Sequence, residues 1–161
     1  MRFDAEILQA VASATVEKRA ITNLRTLNEA YSYGSAFSRG LRIDLNGLVI
    51  LLISGTASID EHGETVHVGD FRGQVRRTYQ NITRLLESEG ATWKDIVRTT
   101  NYLRDIERDY AAFNEERTRF FHQQGLDPLP ASTGIQAILC RPELLVEIEA
   151  IAMFRDPKTG R

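Results

Sequence analysis

The chain has 161 residues, 42% of them hydrophobic and 26% charged, with a formal charge of −2. That is one domain able to bury its own core, without the basic face that nucleic acid requires and without an apolar run of membrane-spanning length. The lone cysteine, Cys140, has no internal disulfide partner and suits a reducing compartment. Met1 to Glu6 lacks the basic-then-apolar order of a signal peptide, so a cytoplasmic location is expected.

Residues 1–34 read as an N-terminal extension, with a short helix over Asp4 to about Ala14. The domain itself is expected over residues 35–155, followed by a tail over 156–161. Ser35 to Asp44 and Leu48 to Ser54 form a hairpin across Asn46-Gly47, a dipeptide suited to the positive φ angles of a tight turn. The run Leu48 to Ile53 is apolar without alternation, which predicts burial on both faces. Ser54-Gly55-Thr56-Ala57-Ser58 follows, small enough for close backbone approach.

Asp70 is placed to cap a helix running to about Glu89 and closed by Gly90, with Phe71, Val75, Thr78, Ile82 and Leu85 as its buried stripe. Ile96 to Leu103 reads as a strand. A second helix spans about Glu107 to Gln124, with Tyr110, Phe113, Arg117, Phe120 and Phe121 on a related face. Ser132 to Leu139 and Leu144 to Phe154 supply the last strands. Strands with two intervening helices describe an α+β domain, a mixed sheet with both helices on one face. The other face would carry apolar residues such as Leu145, Ile151 and Met153, so burial between subunits is expected, with clefts between them as candidate sites.

The last strand carries the candidate chemistry. Alternation turns Val146, Ile148, Ala150 and Ala152 toward the core and Glu147 and Glu149 to the opposite face. Two carboxylates on one half-buried face call for a raised pKa or a cationic partner, unless both simply face solvent.

The ordered set Ile53-Ser54-Gly55, Gly69-Asp70, Gln74, Asn81, Asp95-Ile96-Val97, Thr99-Thr100, Tyr102-Leu103-Arg104-Asp105, Phe113-Asn114-Glu115, Pro130-Ala131 and Glu147 to Ala152 resembles the Rid (YjgF) family, historically labelled L-PSP endoribonuclease. The resemblance covers Ser35 to Phe154. It implies a chorismate-mutase-like homotrimer with small-molecule sites between subunits, and hydrolysis of reactive enamines and imines without a cofactor. Deaminating members of the family have an arginine directly after Pro-Ala to pair with the substrate carboxylate. Here Ser132 stands there, and a hydroxyl does not replace a bidentate guanidinium. The aromatic usual near the first strand corresponds to Phe37, which lacks a hydroxyl. Ordinary imine deamination is therefore not expected.

Phe37-Ser38-Arg39, Ile53 to Ile59 and Cys140 to Glu149 are similar to the C-terminal half of chorismatases, which act on an enol-pyruvyl ether. That resemblance places Glu147 on a proton-transfer glutamate and Cys140 near the substrate. The expected function is a cofactor-independent hydrolase or lyase of a small unsaturated carboxylate (enol ether, enamine or imine), with Glu147 catalytic. Phe37, Arg39, Ser54, Gly55, Thr56, Ser132, Cys140 and Arg141 are the candidate binding residues. The alternative is a non-catalytic metabolite-binding trimer. Glu147 could equally form a structural ion pair with Arg141 or Arg39, and Cys140 could be a packed, inert thiol. His62, His67 and His122 have no metal-ligand spacing.

Overall fold

In the computed structural model the described residues are 15–22 and 36–156. The expected Asp4–Ala14 helix and most of the tail lie outside them. Among the described residues a six-stranded sheet forms, in the order β1-β2-β3-β6-β4-β5. The strands are β1 Val16–Ala20, β2 Gly40–Leu45, β3 Leu48–Ala57, β4 Ile96–Leu103, β5 Ala131–Gln136 and β6 Val146–Arg155. Helix α1 spans Phe71–Ser88 and α2 spans Ile106–Gln123. All neighbouring strands run antiparallel except β4 and β5, which are parallel.

The local signals explain most of these elements. Asn46 and Gly47 turn the hairpin with φ of 51° and 82°, and Asp44 Oδ1 accepts from the Gly47 amide at 3.0 Å. The Asp70 carboxylate accepts from Gly73 N and starts α1; Asp105 does the same for α2 through Arg108 N. Val75, Ile82, Leu85 and Leu86 of α1 pack on Val49, Leu51 and Ile53 of β3 and on Val146, Ile148, Ala150 and Ala152 of β6. Each such large aliphatic contributes about 1.5–3 kcal/mol on burial. Phe113 and Phe121 bring α2 into the same core, so both helices cover one sheet face.

Several expectations change. The first hairpin arm begins at Gly40, so Phe37 and Arg39 precede the strand and do not belong to it. The fifth strand ends at Gln136, which leaves Cys140 on the connection to β6. Tyr110, expected on the buried face of α2, is 43% exposed. β3 is not buried on both faces: Val49, Leu51 and Ile53 are buried, whereas Leu52 is 38% exposed. Its outward residues share an open face with Leu41 and Ile43 of β2 and Ile151 and Met153 of β6, by strand register. Val16–Ala20, within the stretch set apart as an extension, joins the sheet as its edge strand beside β2.

Candidate functional site

Pairing between β3 and β6 is continuous from Leu48 to Ile53, then slips: Ile53 faces Ala150, but Thr56 faces Ile148. Three steps on β3 match two on β6, so Ser54 and Gly55 form a bulge opposite Glu149. A bulge bends the strand and re-aims its side chains. The chain before β2 holds the bulge in place, because Ser54 donates from Oγ to Ser38 O at 2.7 Å and from its amide to Arg39 O at 3.1 Å. Thr56 Oγ1 donates back to Ser54 O at 2.9 Å.

Gly55 is where the Glu147 carboxylate lies. A Cβ at residue 55 would overlap Glu147 Oε1 and sit 2.9 Å from its Cδ. The missing side chain is thus the space the carboxylate fills. Arg39 is 5% exposed, and its guanidinium stands over the Phe37 ring at 5.6 Å. Burial pushes the Glu147 pKa up, the Glu149 charge raises it further, and Arg39 pulls it partly back. Tyr102 of β4 pairs with Glu147 in register and with it faces the open side. The phenol of Tyr102 is also raised, first by burial and then by the neighbouring Glu149 and Glu147.

Three buried or half-buried polar side chains hold the ends of β3 and β6 around Glu147. Gln74 of α1 donates to Glu143 O at 2.8 Å and accepts from Leu145 N at 2.8 Å, clamping the entry to β6. Arg104 donates to the Leu144 and Arg141 carbonyls, each at 2.6 Å. Asn81 donates to Ala57 O and Ile59 O, each at 2.9 Å, and fixes the end of β3. Leu139 and Leu144 then pack with Ala57 and Ile59, against Tyr102, beside this end of the sheet.

The structure therefore brings together Phe37, Arg39, Ser54, Gly55, Thr56 and Glu147. The other three candidates lie elsewhere. Arg141 donates to Gly63 O at 2.7 Å and Thr65 Oγ1 at 3.4 Å, tying the β5–β6 connection to the turn after β3. Cys140 is exposed on that connection. Ser132 pairs in register with Thr99, whose neighbour in β6 is the core residue Ala150, so it faces α2 and not the Glu147 side. There it accepts from Asn101 Nδ2 and from Arg117 Nη1, both at 3.0 Å.

Two concavities flank these groups. One, of about 360 Å³, lies on the open face against Leu41, Leu52, Ser54, Glu149 and Ile151. The other, of about 410 Å³, lies between α2 and β5 and is lined by Arg117, Phe121, Leu126, Leu129, Pro130 and Ser132. Tyr102 and Arg117 were missing from the sequence-based site. Alternation along β4 in step with Glu147 could have found Tyr102, but Arg117 reads from sequence as part of a helix face. Among the described residues, no cluster of three His, Cys, Asp or Glu has metal-binding proximity. No helix among them is long and apolar enough to cross a membrane.

Comparison with known proteins agrees with this fold. The family model described as Endoribonuclease L-PSP matches residues 28–154. A 3-aminoacrylate deaminase, RutC, of Acinetobacter baylyi is 33% identical over 103 residues, 64% of this chain and 78% of that protein. A RutC family protein of Pyrococcus abyssi is 35% identical over 103 residues, 63% of this chain and 76% of that protein. Among solved structures, the Rid-family protein YyfA of Yersinia pestis superposes with a TM-score of 0.71 at 27% identity, covering 86% of this chain and 100% of that one. The YjgF gene product of E. coli gives a TM-score of 0.69 at 25% identity, covering 85% and 99%. The chain has the YjgF-type α+β fold and belongs to the Endoribonuclease L-PSP family, the Rid/YjgF proteins.

Proposed function

We propose that this protein is a cofactor-independent hydrolase or lyase of a small unsaturated carboxylate, of the enol-ether, enamine or imine type, with Glu147 as the proton-transfer group. The observation that carries this reading is the Glu147 carboxylate held in the space beside Gly55, with its pKa raised by burial. A carboxyl that keeps its proton closer to neutral pH can deliver it to a carbon and recover it from water. For an enamine acid, Glu147 protonates the carbon β to nitrogen, which gives the imine. Water then adds to the imine carbon, the nitrogen leaves as ammonia, and an oxo acid remains. The sum is enamine plus water giving oxo acid plus ammonia. The 33%-identical relative is a deaminase of an enamine acid of this kind.

The reacting cleft is proposed to lie between copies of a homotrimer. In one chain the Glu147 side and the Ser132 side belong to opposite faces of the sheet. The open face also carries Leu52 and Met153 at 38% and 40% exposure, a surface suited to a second copy.

The test is ammonia release from 3-aminoacrylate, from imines of branched-chain amino acids generated by an amino-acid oxidase, and from enol-ether acids as a control that yields none. Hydrolysis of an unsaturated acid by the wild type, lost in Glu147→Gln with ligand binding retained, is the expected result. Full activity in Glu147→Gln would remove the catalytic assignment. Binding without turnover across the panel would make the protein a metabolite-binding trimer.

A further inference from the structure

We propose that Arg117 is the anchor for the substrate carboxylate, in the cleft between α2 and β5, and that the substrate carries a compact apolar body next to that carboxylate. This deepens the function proposed above and rests on it.

Arg117 differs from its neighbours on the two helices. Arg72, Arg76 and Arg119 all engage the Glu116 carboxylate, and Arg108 engages Asp109. Arg117 instead donates to two neutral oxygens, Ser132 Oγ at 3.0 Å and Asn114 Oδ1 at 2.6 Å, and its guanidinium lies 5.3 Å from the Phe113 ring centroid. Among the described residues it has no carboxylate partner. A half-buried guanidinium on neutral acceptors is poised for an anion, because a carboxylate forms shorter and stronger charge-assisted bonds than a hydroxyl or an amide.

The cation is also built into a cavity. Ser132 is held at the wall by Asn101, which is 1% exposed and donates to both Ser132 Oγ and Thr133 O at 3.0 Å. The remaining wall is mostly apolar, formed by Phe121, Leu126, Leu129 and Pro130 with Thr118 and His122 beside them, in a space of about 410 Å³. One guanidinium in a mostly apolar cleft selects an acid with a hydrocarbon body and orients it by its carboxylate. The two arginines nearer Glu147 in sequence-based expectation have other tasks: Arg39 moderates the Glu147 charge and Arg141 ties down the connection before β6. Arg117 thus supplies the binding cation on the Ser132 side of the sheet, the face opposite Glu147 of the same chain.

The experiment is an NMR titration of the ¹⁵N-labelled protein with 4-methylpentanoate and with 4-methylpentanamide, an acid and a neutral amide of nearly the same shape. The acid is expected to shift the Arg117 side-chain Nε–H and the Ser132 and Leu129 amides saturably, and to bind at least about tenfold more tightly than the amide. Arg117→Met should erase that preference, and Arg117→Lys should keep part of it. The wild-type comparison of acid with amide decides the matter even should Arg117→Met fold poorly. Equal binding of acid and amide, shifts confined to another region, or no saturation by the acid up to tens of millimolar would overturn the assignment. So would an Arg117→Met protein that binds the acid as the wild type does. Acid preference at Arg117 without turnover would leave this anchor standing and remove the catalytic reading. Turnover that depends on Glu147, with no acid preference lost in Arg117→Met, would do the reverse.

Discussion

The Glu147 carboxylate occupies the volume that a side chain at Gly55 would fill. Two separate elements create this relationship: the bulge at Ser54–Gly55 turns β3 toward β6, and the pleat of β6 points Glu147 at it. Gly55 is not in the left-handed region, so its backbone accepts alanine. The atom in the way is the end of a flexible side chain, which can swing out. Gly55→Ala is therefore expected to fold with a stability change within about 1 kcal/mol. It should nonetheless lose turnover by about 10–100-fold, because the carboxylate is displaced by an ångström or more. Thermal unfolding and steady-state kinetics on the same preparation check this. A Gly55→Ala enzyme of unchanged activity would mean that Glu147's placement does not matter.

Burial of Glu147 has a thermodynamic signature. Its folded-state pKa is raised, so between the unfolded and folded values the native chain holds more proton than the unfolded chain. Stability from this group is then present below the unfolded pKa and is lost as pH rises through the folded one. Glu147→Gln removes that loss. The variant is expected to melt at a higher temperature than the wild type at pH 7, and the gain should vanish below about pH 4, the ordinary glutamate range. Melting curves across pH measure it. A glutamine variant less stable at pH 7 would point to a structural ion pair at this position.

Glu116 behaves in the opposite way. Its side chain is 3% exposed and receives hydrogen bonds from Arg72, Arg76 and Arg119, with Arg76 the largest influence lowering its pKa. A depressed folded pKa contributes stability above the unfolded value, lost as pH falls through the folded one. Glu116→Gln should cost about 1.5–3 kcal/mol at pH 7, the range for hydrogen bonds to charged groups. The deficit should shrink in acid, where the wild-type carboxylate protonates. A pH-independent deficit would assign the cost to packing alone.

The open sheet face makes assembly testable with one substitution. Leu52 is outward on β3, opposite Ile151 of β6, and 38% exposed. Leu52→Asp places a charge where the proposed trimer buries an apolar surface. The wild type is expected to sediment as a trimer at micromolar concentration and the variant as a folded monomer without activity. A wild-type monomer would exclude a cleft shared between copies.

Sequence periodicity revealed the helices, the Asn46-Gly47 turn and the inward face of β6, because each is a local pattern. β1 was not visible that way. Val16 to Ala20 is polar and exposed, and it is a strand only because it pairs with β2. The apolar open face made Leu48 to Ile53 look buried on both sides; the second side lacks cover within one chain. The family resemblance groups Ser132 with Glu147, but its side depends on parallel pairing between β4 and β5, a non-local register. Arg117 reads from sequence as part of a helix face because its partner Ser132 comes from 15 residues farther along the chain.

Catalysis by this site depends most directly on the protonation of Glu147, and a ¹³C NMR titration of glutamate carboxyls, assigned by comparison with Glu147→Gln, reads it. Glu147 should titrate above the usual 4.5, fall toward it in Glu149→Gln, and rise further when Arg39 is replaced by methionine. A Glu147 carboxyl that titrates at or below 4.5 in the assembled wild-type protein would contradict its role as the proton donor.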